Sequence, residues 1–528
     1  MRLWEIIDNA AAARSDATAL VADGRRWSFS ELRDDVNRMA AALQRFIQPG
    51  DRVAMVAENT AAYVAALYAV PRAGAVLVHG NTRHTPAEVA EMLRRCNAAV
   101  LMGTEVQLER LRGRLPDSVT MVACIDAPTD PGGEWTGLEE LTHPDLQRGS
   151  GAHAPVTPAE VTTSDSDMAW LIYTSGTTGR PKGAMLTHRS LVSAALNTTM
   201  SRPVAPDEVY LFPFPLFHVA AYNVVHHHLR QRPVVLLPGF DAAAVLRAIE
   251  SHSVTSVSLA PTMLAMLLDH PSRGDHDIST LRTVSYGAAA MPLDLLRRSL
   301  AELPEVGLAQ GYGMTELSGN AVFLSPEDHR RAASTDPDLL TAAGRPAPMT
   351  ALRIRSEDGT EAPVGEPGEI LVRGDQVCAG YFDDPEASAA AMVDGWFHTG
   401  DVGRIDDCGY LHVVDRLKDI IISGGENVSS REVEDALGTH PAVRSVAVVG
   451  RPDDRWGELV VAVVVLRGGA VPPTLEELRD RCAALAGFKH PRDLLVVDDL
   501  PTNASGKVDK VTLRSLVGAG TSIGSDRG

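Results

Sequence analysis

Residues 171–183 read Leu-Ile-Tyr-Thr-Ser-Gly-Thr-Thr-Gly-Arg-Pro-Lys-Gly, and this stretch says more about the fold than any other. Its first three residues are typical of a strand end, and four hydroxyl side chains follow among glycines, with Lys182 behind them. Glycines let backbone N–H groups approach an anion, hydroxyls add short donors, and a lysine adds a point charge. The stretch therefore predicts a phosphate-binding loop, and a flexible turn is the alternative. It is not a P-loop, because Pro181 and Gly183 occupy the positions of the second glycine and the final hydroxyl.

The composition of the 528-residue chain is that of a globular protein with more than one domain. Its formal net charge is −19, so the chain lacks the excess of basic residues that nucleic-acid binding requires, which argues against nucleic acid as a partner. The first residues lack the apolar stretch of a signal peptide, and no run of about 18 apolar residues predicts a membrane span. Five scattered cysteines without metal-ligand spacing are typical of reduced thiols, so we expect a cytoplasmic protein.

The rhythm of strands and helices predicts an α/β protein. Helical and strand patterns alternate over about 30–125 and again over about 168–320, as in doubly wound α/β layers. The stretch 127–165 is rich in Pro, Asp, Gly and Ser and predicts an exposed connection. Short strands between turns over about 340–415 predict a small distorted β-barrel, and an α+β segment follows Lys418. We expect a large N-terminal domain of two doubly wound subdomains plus the barrel, and a small mobile α+β C-terminal domain.

Four further motifs carry side chains suited to a nucleotide. Segment 310–316, Gln-Gly-Tyr-Gly-Met-Thr-Glu, offers an aromatic ring for a purine and a carboxylate suited to Mg²⁺. Segment 395–401 ends in Asp401, whose carboxylate can accept hydrogen bonds from ribose hydroxyls. Segment 415–427 is a charged connector followed by a glycine pair, and Lys507 lies in a turn near the C-terminus. Taken singly, each motif is also compatible with an ordinary turn, a salt-bridged linker or a solvated lysine.

Three consecutive histidines, His226–His228, do not predict a metal site. Successive residues of a helix or strand cannot all face one ion, so we expect these side chains to pack in the core or at the surface.

In their order and spacing these segments resemble the adenylate-forming superfamily, in particular its AMP-forming acyl- and aryl-CoA synthetase branch. The motifs TSGTTGRPKG, GYGMTE, GWFHTGD, DRLKDIIISGGENV and NASGK occur together, and the resemblance covers about 25–515. It implies an adenylation domain at 1–415 that binds ATP and the acid, a hinge at 416–419 and a mobile C-terminal domain at 420–528.

The resemblance also implies a role for individual residues. ATP and AMP would be bound by Thr174, Ser175, Gly176, Thr177, Thr178, Gly179, Lys182, Gly287, Ala288, Ala289, Gly311, Tyr312, Asp401 and Arg416. The catalytic residues would be Lys507, Thr315, Glu316 and His218, with Glu316 also holding Mg²⁺. Lys418 would be the hinge residue, and Gly424 and Gly425 would line the CoA tunnel. The acyl pocket would be lined by Phe217, His218, Ala221, Tyr222, Asn223, Gly313 and Ser318. A purely structural role for His218 is the alternative.

The implied activity is that of an ATP-dependent acyl-CoA ligase. A carboxylic acid becomes an acyl-adenylate with release of pyrophosphate, and the acyl group then passes to the thiol of CoA. Small residues in the pocket and the absence of an acidic residue from 212–223 favour a bulky hydrophobic acid, fatty, aryl or polycyclic. The small residues are also compatible with close backbone packing. Two other activities stay open, a ligase that loads an acyl-carrier protein and a non-catalytic paralogue that only binds nucleotide or acyl-adenylate, and a homodimer is not excluded.

Overall fold

The structure is a computed structural model that describes residues 1–126, 135–142, 156–174, 181–202, 204–502 and 508–518. Its helices are α1 (Leu3–Ala13), α2 (Phe29–Leu43), α3 (Ala61–Arg72), α4 (Pro86–Arg95), α5 (Glu105–Arg110), α6 (Leu138–Thr142), α7 (His188–Ser201), α8 (Tyr222–Leu229), α9 (Ala242–His252), α10 (Pro261–Leu268), α11 (Leu293–Glu302), α12 (Pro326–Ser334), α13 (Pro385–Ala391), α14 (Ser430–Gly438), α15 (Leu475–Arg481) and α16 (Lys510–Gly518).

Its strands are β1 (Thr18–Ala22), β2 (Arg25–Ser28), β3 (Arg52–Val56), β4 (Val76–Gly80), β5 (Ala98–Gly103), β6 (Met121–Cys124), β7 (Thr136–Gly137), β8 (Met168–Thr174), β9 (Lys182–Thr187), β10 (Tyr210–Phe212), β11 (Val234–Leu236), β12 (Ser256–Leu259), β13 (Thr283–Gly287), β14 (Gly307–Met314), β15 (Gly319–Leu324), β16 (Arg345–Pro346), β17 (Ala351–Arg355), β18 (Gly368–Arg373), β19 (Met392–Val393), β20 (Trp396–Ile405), β21 (Leu411–Arg416), β22 (Ile421–Ser423), β23 (Glu426–Val428), β24 (Val443–Asp453), β25 (Gly457–Leu466) and β26 (Asp493–Val497).

Two large sheets carry most of the N-terminal part. The nine-stranded sheet has the order β16-β15-β14-β13-β12-β10-β11-β1-β2, and the seven-stranded sheet has the order β7-β6-β5-β3-β4-β8-β9. Both are parallel in the middle and end in antiparallel strands, at β2 and at β15 and β16 in the first sheet and at β9 in the second. This is the α/β architecture that the sequence predicts.

The two sheets exchange strands, which the sequence pattern does not reveal. β1 precedes the first α/β stretch, yet it joins the nine-stranded sheet, where Leu20 pairs with Val234 of β11. β8 begins the second stretch, yet it lies parallel to β4 in the seven-stranded sheet, where Trp170 pairs with Leu77. The expectation that each stretch of sequence forms its own layer is therefore wrong at these strands. Neighbours in sequence are not always neighbours in a sheet, and burial decides the pairing.

Helices α1, α2, α3, α7 and α8 contribute to the largest hydrophobic core, together with strands of both sheets. Trp170 and Tyr63 are fully buried in it. α2 begins at Phe29 because the Ser28 hydroxyl accepts the N–H of Glu31, while the Glu31 carboxylate accepts the N–H of Ser28. This capping box supports the N-terminus of the helix.

A third sheet follows in the place of the predicted barrel. It is antiparallel, with the order β17-β18-β20-β19 and β21 paired to β20. After a short 3-10 turn at Leu417–Asp419, the C-terminal part forms a separate sheet in which β23, β22, β25 and β24 are neighbours and β26 lies parallel to β25. α14, α15 and α16 accompany it, as expected for an α+β domain. None of the described helices combines the length and the apolar composition that crossing a bilayer requires.

One local expectation is wrong. The stretch 127–165 is not only an exposed connection, because β7 pairs with β6 and α6 buries Leu141.

All three consecutive histidines are core residues of α8. His228 lies between the Tyr68 hydroxyl and the Ala19 carbonyl, and His227 contacts the Glu208 carboxylate. The side chains thus point to different neighbours, as the sequence predicts. Within the described residues, no group of three or more histidine, cysteine or acidic side chains is arranged to hold a metal ion.

Several buried histidines make the fold sensitive to acid. Burial lowers the pKa of His79 and His228 to about 3 and that of His188 to about 4. The unfolded chain therefore binds more protons than the folded chain in the window below about pH 6.5. Stability from these groups is complete above that value and is lost as the pH falls toward the folded pKa.

We expect the melting temperature to fall between about pH 7.5 and 5.5, because each such histidine costs roughly 1.4 kcal/mol per unit below its unfolded pKa. The His188→Gln variant keeps an acceptor for the Leu3 N–H and should show a shallower slope, measured by calorimetry. A melting temperature that does not change over this range, or an unchanged slope in the variant, would contradict the prediction.

Candidate active site

The two ends of the predicted phosphate loop lie side by side. In the antiparallel pairing of β8 with β9, Thr174 is opposite Lys182. Residues 175–180, which include the predicted Ser175, Gly176, Thr177, Thr178 and Gly179, lie outside the described residues. Because of this register, Thr174, which carries a hydroxyl, and Lys182, which carries an ammonium, lie opposite each other at the two ends of segment 175–180.

Glu316 meets this base from the other sheet. Its Oε1 atom lies 3.3 Å from Thr174 Oγ1 and 3.2 Å from the hydroxyl of Tyr381. The ammonium of Lys182 lies 5.0 Å from the centre of the Tyr381 ring, a cation–π contact. Burial, and then the charge of Glu316, raises the pKa of Tyr381, which therefore acts as a neutral donor. The geometry brings Thr174, Lys182 and Glu316 together, as their predicted roles require.

Sequence reasoning missed Tyr381. It stands in Ala-Gly-Tyr-Phe-Asp-Asp, which has no feature of a binding motif. Its position follows from an isolated bridge between Tyr381 and Ala184 of β9, a contact between residues far apart in sequence. No local signal in the sequence could have found it.

Glycines allow close contact at the predicted adenine site. Gly287 at the end of β13 pairs with Gly311 of β14, and a Cβ atom on Gly287 would lie 2.6 Å from the Gly311 carbonyl oxygen. A Cβ atom on Gly311 would lie 2.2 Å from Asn320 Nδ2. The next residue, Ala288, has a φ of +65° in the left-handed region, which is uncommon for alanine, and it is exposed together with Ala289.

Tyr312, Asp401 and Arg416 form one group, joined by a hydrogen bond and an ion pair. The Tyr312 hydroxyl donates to Asp401 Oδ2 at 2.8 Å, and Arg416 Nε lies 3.4 Å from Asp401 Oδ1. Asp401 of β20 pairs directly with Arg416 of β21, so the sheet register places acid and base together. Burial, and then the Asp401 charge, raises the pKa of Tyr312. The predicted adenine and ribose contacts are therefore neighbours.

The turn after β14 holds Thr315 and Glu316. It is a 3-10 turn, Thr315–Leu317, that ends at Ser318 with a φ of +55°. Ser318 is fully buried, and its hydroxyl donates to Ser190 Oγ at 2.9 Å. Its side chain is thus directed to α7. A Cβ atom on Gly313 would lie 2.0 Å from the Gly319 carbonyl oxygen, so the backbones of β14 and β15 touch there.

The other predicted pocket residues flank the start of α8. Phe217 and His218 have ring centres 4.7 Å apart and precede a 3-10 turn, Val219–Ala221. His218 is half-buried, whereas Ala221 and Tyr222 are buried. The side-chain amide of Asn223 donates to the Ala220 carbonyl at 3.1 Å. That bond directs the amide to the backbone of its own turn.

A buried carboxylate, to which sequence reasoning gave no role, lies next to the predicted hinge 416–419. Asp415 Oδ2 accepts from the Ser429 hydroxyl at 3.2 Å and the Ser430 hydroxyl at 2.8 Å. The Lys510 ammonium reaches Ser430 Oγ at 2.6 Å and Glu434 at 2.8 Å. These contacts connect the end of β21 with α14 and α16 across the exposed segment 416–418.

The predicted C-terminal site residues are only partly described. Gly424 and Gly425 form the turn of the β22–β23 hairpin with φ of +65° and +84°, and both are exposed. The described contacts of this hairpin include Trp456 and Glu357. Lys418 is exposed, and its carbonyl accepts from Arg514 at 3.0 Å. Lys507 lies outside the described residues.

Glu316 also suits a magnesium ion. Oε1 accepts two hydroxyls, while Oε2 has no hydrogen-bond partner among the described residues. A free carboxylate oxygen beside hydroxyl groups is the hard donor set that Mg²⁺ prefers. The site can thus hold a ribose, a base and an anionic group with its counter-ion.

Comparison with known proteins agrees with this geometry. Residues 7–382 match the AMP-binding enzyme family, and residues 432–507 match the AMP-binding enzyme C-terminal domain. The chain is similar to a feruloyl-CoA synthase of Amycolatopsis sp., with 39% identity over 95% of this chain and 96% of the relative. It is also similar to an indoleacetate–CoA ligase of Aromatoleum aromaticum, with 38% identity over 98% of each chain.

A solved structure shares the whole architecture. The o-succinylbenzoate-CoA synthetase of Bacillus subtilis, in complex with its acyl-adenylate intermediate, superposes with a TM-score of 0.82 and 30% identity. The match covers 100% of this chain and 99% of the other.

The Asp401 group yields a test. We expect Asp401→Asn to weaken ATP binding about tenfold, because a carboxylate hydrogen bond to ribose is charge-assisted and contributes roughly 1.5–3 kcal/mol. Tyr312→Phe keeps the carboxylate and removes only its hydroxyl donor, so its loss should be smaller. Titration calorimetry with ATP measures both. An unchanged ATP affinity in Asp401→Asn would show that this carboxylate does not bind the nucleotide.

Proposed function

The chain belongs to the family of AMP-binding enzymes, and from this premise we propose that it is an AMP-forming acyl-CoA ligase for bulky hydrophobic carboxylic acids, fatty, aryl or polycyclic. The observation that carries the proposal is the convergence of Thr174, Lys182 and Glu316 beside the Tyr312–Asp401–Arg416 group. A phosphate-binding base and a ribose-binding carboxylate are then available to one nucleotide.

In the first half-reaction, a carboxylate oxygen of the acid attacks the α-phosphorus of ATP. A new O–P bond forms, the bond to pyrophosphate breaks, and the acyl-adenylate results. Negative charge grows on the α-phosphate in the transition state, and preorganised cations and donors stabilise it. Lys182 and the loop that it follows would hold the departing pyrophosphate, and Lys507 would approach the α-phosphate from the C-terminal domain.

Magnesium would be held by Glu316, whose Oε2 is available while Thr174 and Tyr381 orient Oε1. When bound, the ion neutralises phosphate charge. Tyr381 would serve as a positioning residue, because its hydroxyl donates to the carboxylate and its ring faces Lys182.

In the second half-reaction, the thiol attacks the acyl carbon and AMP leaves. We infer that the C-terminal domain turns about Lys418, withdraws Lys507 and brings Gly424 and Gly425 to the thiol path. The exposed position of the glycine pair supports this, since their hairpin is free to dock elsewhere. The Asp415 contacts to Ser429 and Ser430 would help to hold the orientation described above.

The acid class is supported by pocket and relatives together. Ala221 and Gly313 are small, and the acids named for three relatives, ferulate, indoleacetate and o-succinylbenzoate, contain an aromatic ring, while another relative is named for long-chain fatty acids. The five free cysteines fit the cytoplasm as the compartment.

A panel of carboxylates with ATP and either CoA or a phosphopantetheinyl carrier protein, analysed for AMP and by mass spectrometry, tests substrate and acceptor. Turnover of acetate or malonate alone would contradict the bulky acid, and thioester on the carrier protein alone would contradict CoA.

We expect Lys507→Ala to lower the rate of acid-dependent ATP–pyrophosphate exchange by about 10²–10³, the scale for one preorganised donor. Lys489→Ala removes a lysine of the same domain that pairs with Glu432, and it is the matched control. Unchanged exchange in Lys507→Ala would exclude the proposed role of Lys507.

A second variant separates the two half-reactions. Lys418→Pro fixes a backbone dihedral at the hinge, so pyrophosphate exchange should persist while thioester formation with CoA falls by at least about tenfold. Both rates are measured on the same preparation. If the two fall equally, the proposed rotation about Lys418 is wrong.

A further inference from the structure

One turn beyond Tyr222, α8 carries a buried histidine without a partner. His226 is fully buried, and neither ring nitrogen has a hydrogen-bond partner among the described residues. Residues four apart lie on the same face of a helix, so His226 faces the same side as Tyr222. Burial lowers the pKa of His226 well below its ordinary value, which leaves a neutral ring with one donor and one acceptor.

Arg202 lies beside it at the end of α7. Its Nη1 atom donates to Ser285 Oγ on β13, but its Nη2 atom is buried without a partner among the described residues. No described carboxylate lies within 4.0 Å of its guanidinium. The nearby Glu208 carboxylate is occupied by His227 at 3.1 Å and Ser256 at 2.7 Å.

The sheet opposite these side chains is lined by small and hydroxyl-bearing residues. Ser258 accepts from the Tyr210 hydroxyl at 2.9 Å and is paired in register with Ser285, which is paired in turn with Ala309. The hydroxyl of Tyr222, a predicted pocket residue, accepts from Thr198 Oγ1 at 3.4 Å, and the backbone N–H of Arg202 donates to the carbonyl of the same Thr198. The polar atoms thus lie next to the predicted acyl pocket.

A buried donor without an acceptor costs about 1–3 kcal/mol, and native proteins rarely keep several together. Arg202 offers only donors, and neutral His226 adds one more. The missing partner is therefore an oxygen acceptor. A hydrocarbon end would leave Nη2 of Arg202 without an acceptor, and a buried donor left unpaired in this way disfavours a substrate that lacks the oxygen.

We propose that Arg202 and His226 bind an oxygen acceptor, a keto or second carboxylate oxygen, at the end of the acyl group remote from the reacting carboxyl. The inference rests on the proposed acyl-CoA ligase function and narrows its acid class. The preferred acid is thus bulky and hydrophobic in its middle and carries a carbonyl oxygen at its far end.

The test compares 3-cyclohexylpropanoate with its ring-keto and ring-carboxy derivatives, using kcat/KM in ATP–pyrophosphate exchange. The wild-type enzyme should prefer at least one oxygenated acid by about 10–100-fold, the value of one or two charge-assisted hydrogen bonds. Comparison of kcat/KM for the ring-keto acid with that for the ring-carboxy acid shows whether the site prefers a neutral or a charged acceptor. If kcat/KM for 3-cyclohexylpropanoate equals or exceeds that for both oxygenated acids, the inference is wrong. Ordered water would then be the partner of Arg202 and His226.

Variants add a second readout. Arg202→Met and His226→Leu should remove the preference while retaining turnover of the parent acid, and Arg202→Lys should retain part of it. Arg230→Met, which removes an exposed arginine at the end of α8, is the matched control. An equal loss for all three acids in Arg202→Met would indicate a structural role and contradict the proposal.

The outcome also separates this inference from the function on which it rests. Absence of exchange with every acid, including ferulate and indoleacetate, would overturn the proposed function itself. Exchange with those acids, but no preference for an oxygenated end, would overturn only the assignment of Arg202 and His226.

Discussion

The antiparallel register that sets Thr174 opposite Lys182 is the constraint on which the site depends. It fixes both ends of the hydroxyl-rich segment at the edge of the seven-stranded sheet. Glu316, from the nine-stranded sheet, can then reach Thr174 only because the two sheets pack across one continuous core. A shift of β9 by one residue along β8 would turn Lys182 to the opposite face of the sheet and separate its ammonium from the Thr174 hydroxyl.

The sequence predicts the fold class and many of the local elements for a physical reason. Helix starts such as the Ser28 capping box, and strands such as β12, depend on neighbouring residues, and they appear in the structure as expected. Lysine is also informative, since it occurs at only five of the 49 basic positions and three of these, Lys182, Lys418 and Lys507, fall within the recognised motifs. A residue type that is rare in the chain but occurs within motifs can therefore be assigned a candidate role from the sequence alone.

What the sequence could not predict depends on contacts between distant residues. Tyr381 and Arg202 lie in segments with no motif, and the Asp415 motif does not show what its carboxylate binds. Their side-chain partners are 65, 83 and 15 positions away in sequence. The sequence also does not show which buried polar atoms lack a hydrogen-bond partner. Both ring nitrogens of His226 and Nη2 of Arg202 have no hydrogen-bond partner among the described residues, and only the packing of α7 and α8 on the sheet reveals this.

The exchange of strands between the two large sheets has a consequence for biosynthesis. Leu20 of β1 emerges from the ribosome about 210 residues before its partner Val234, a delay of roughly 10–40 s at ordinary elongation rates. During that interval the edge of β1 that later pairs with β11 has no strand beside it, although α2 and α3, which also contact β1, have already been synthesised. Unpaired strand edges are prone to aggregation, so we expect the nascent chain to bind chaperones until about its first 240 residues have left the exit tunnel.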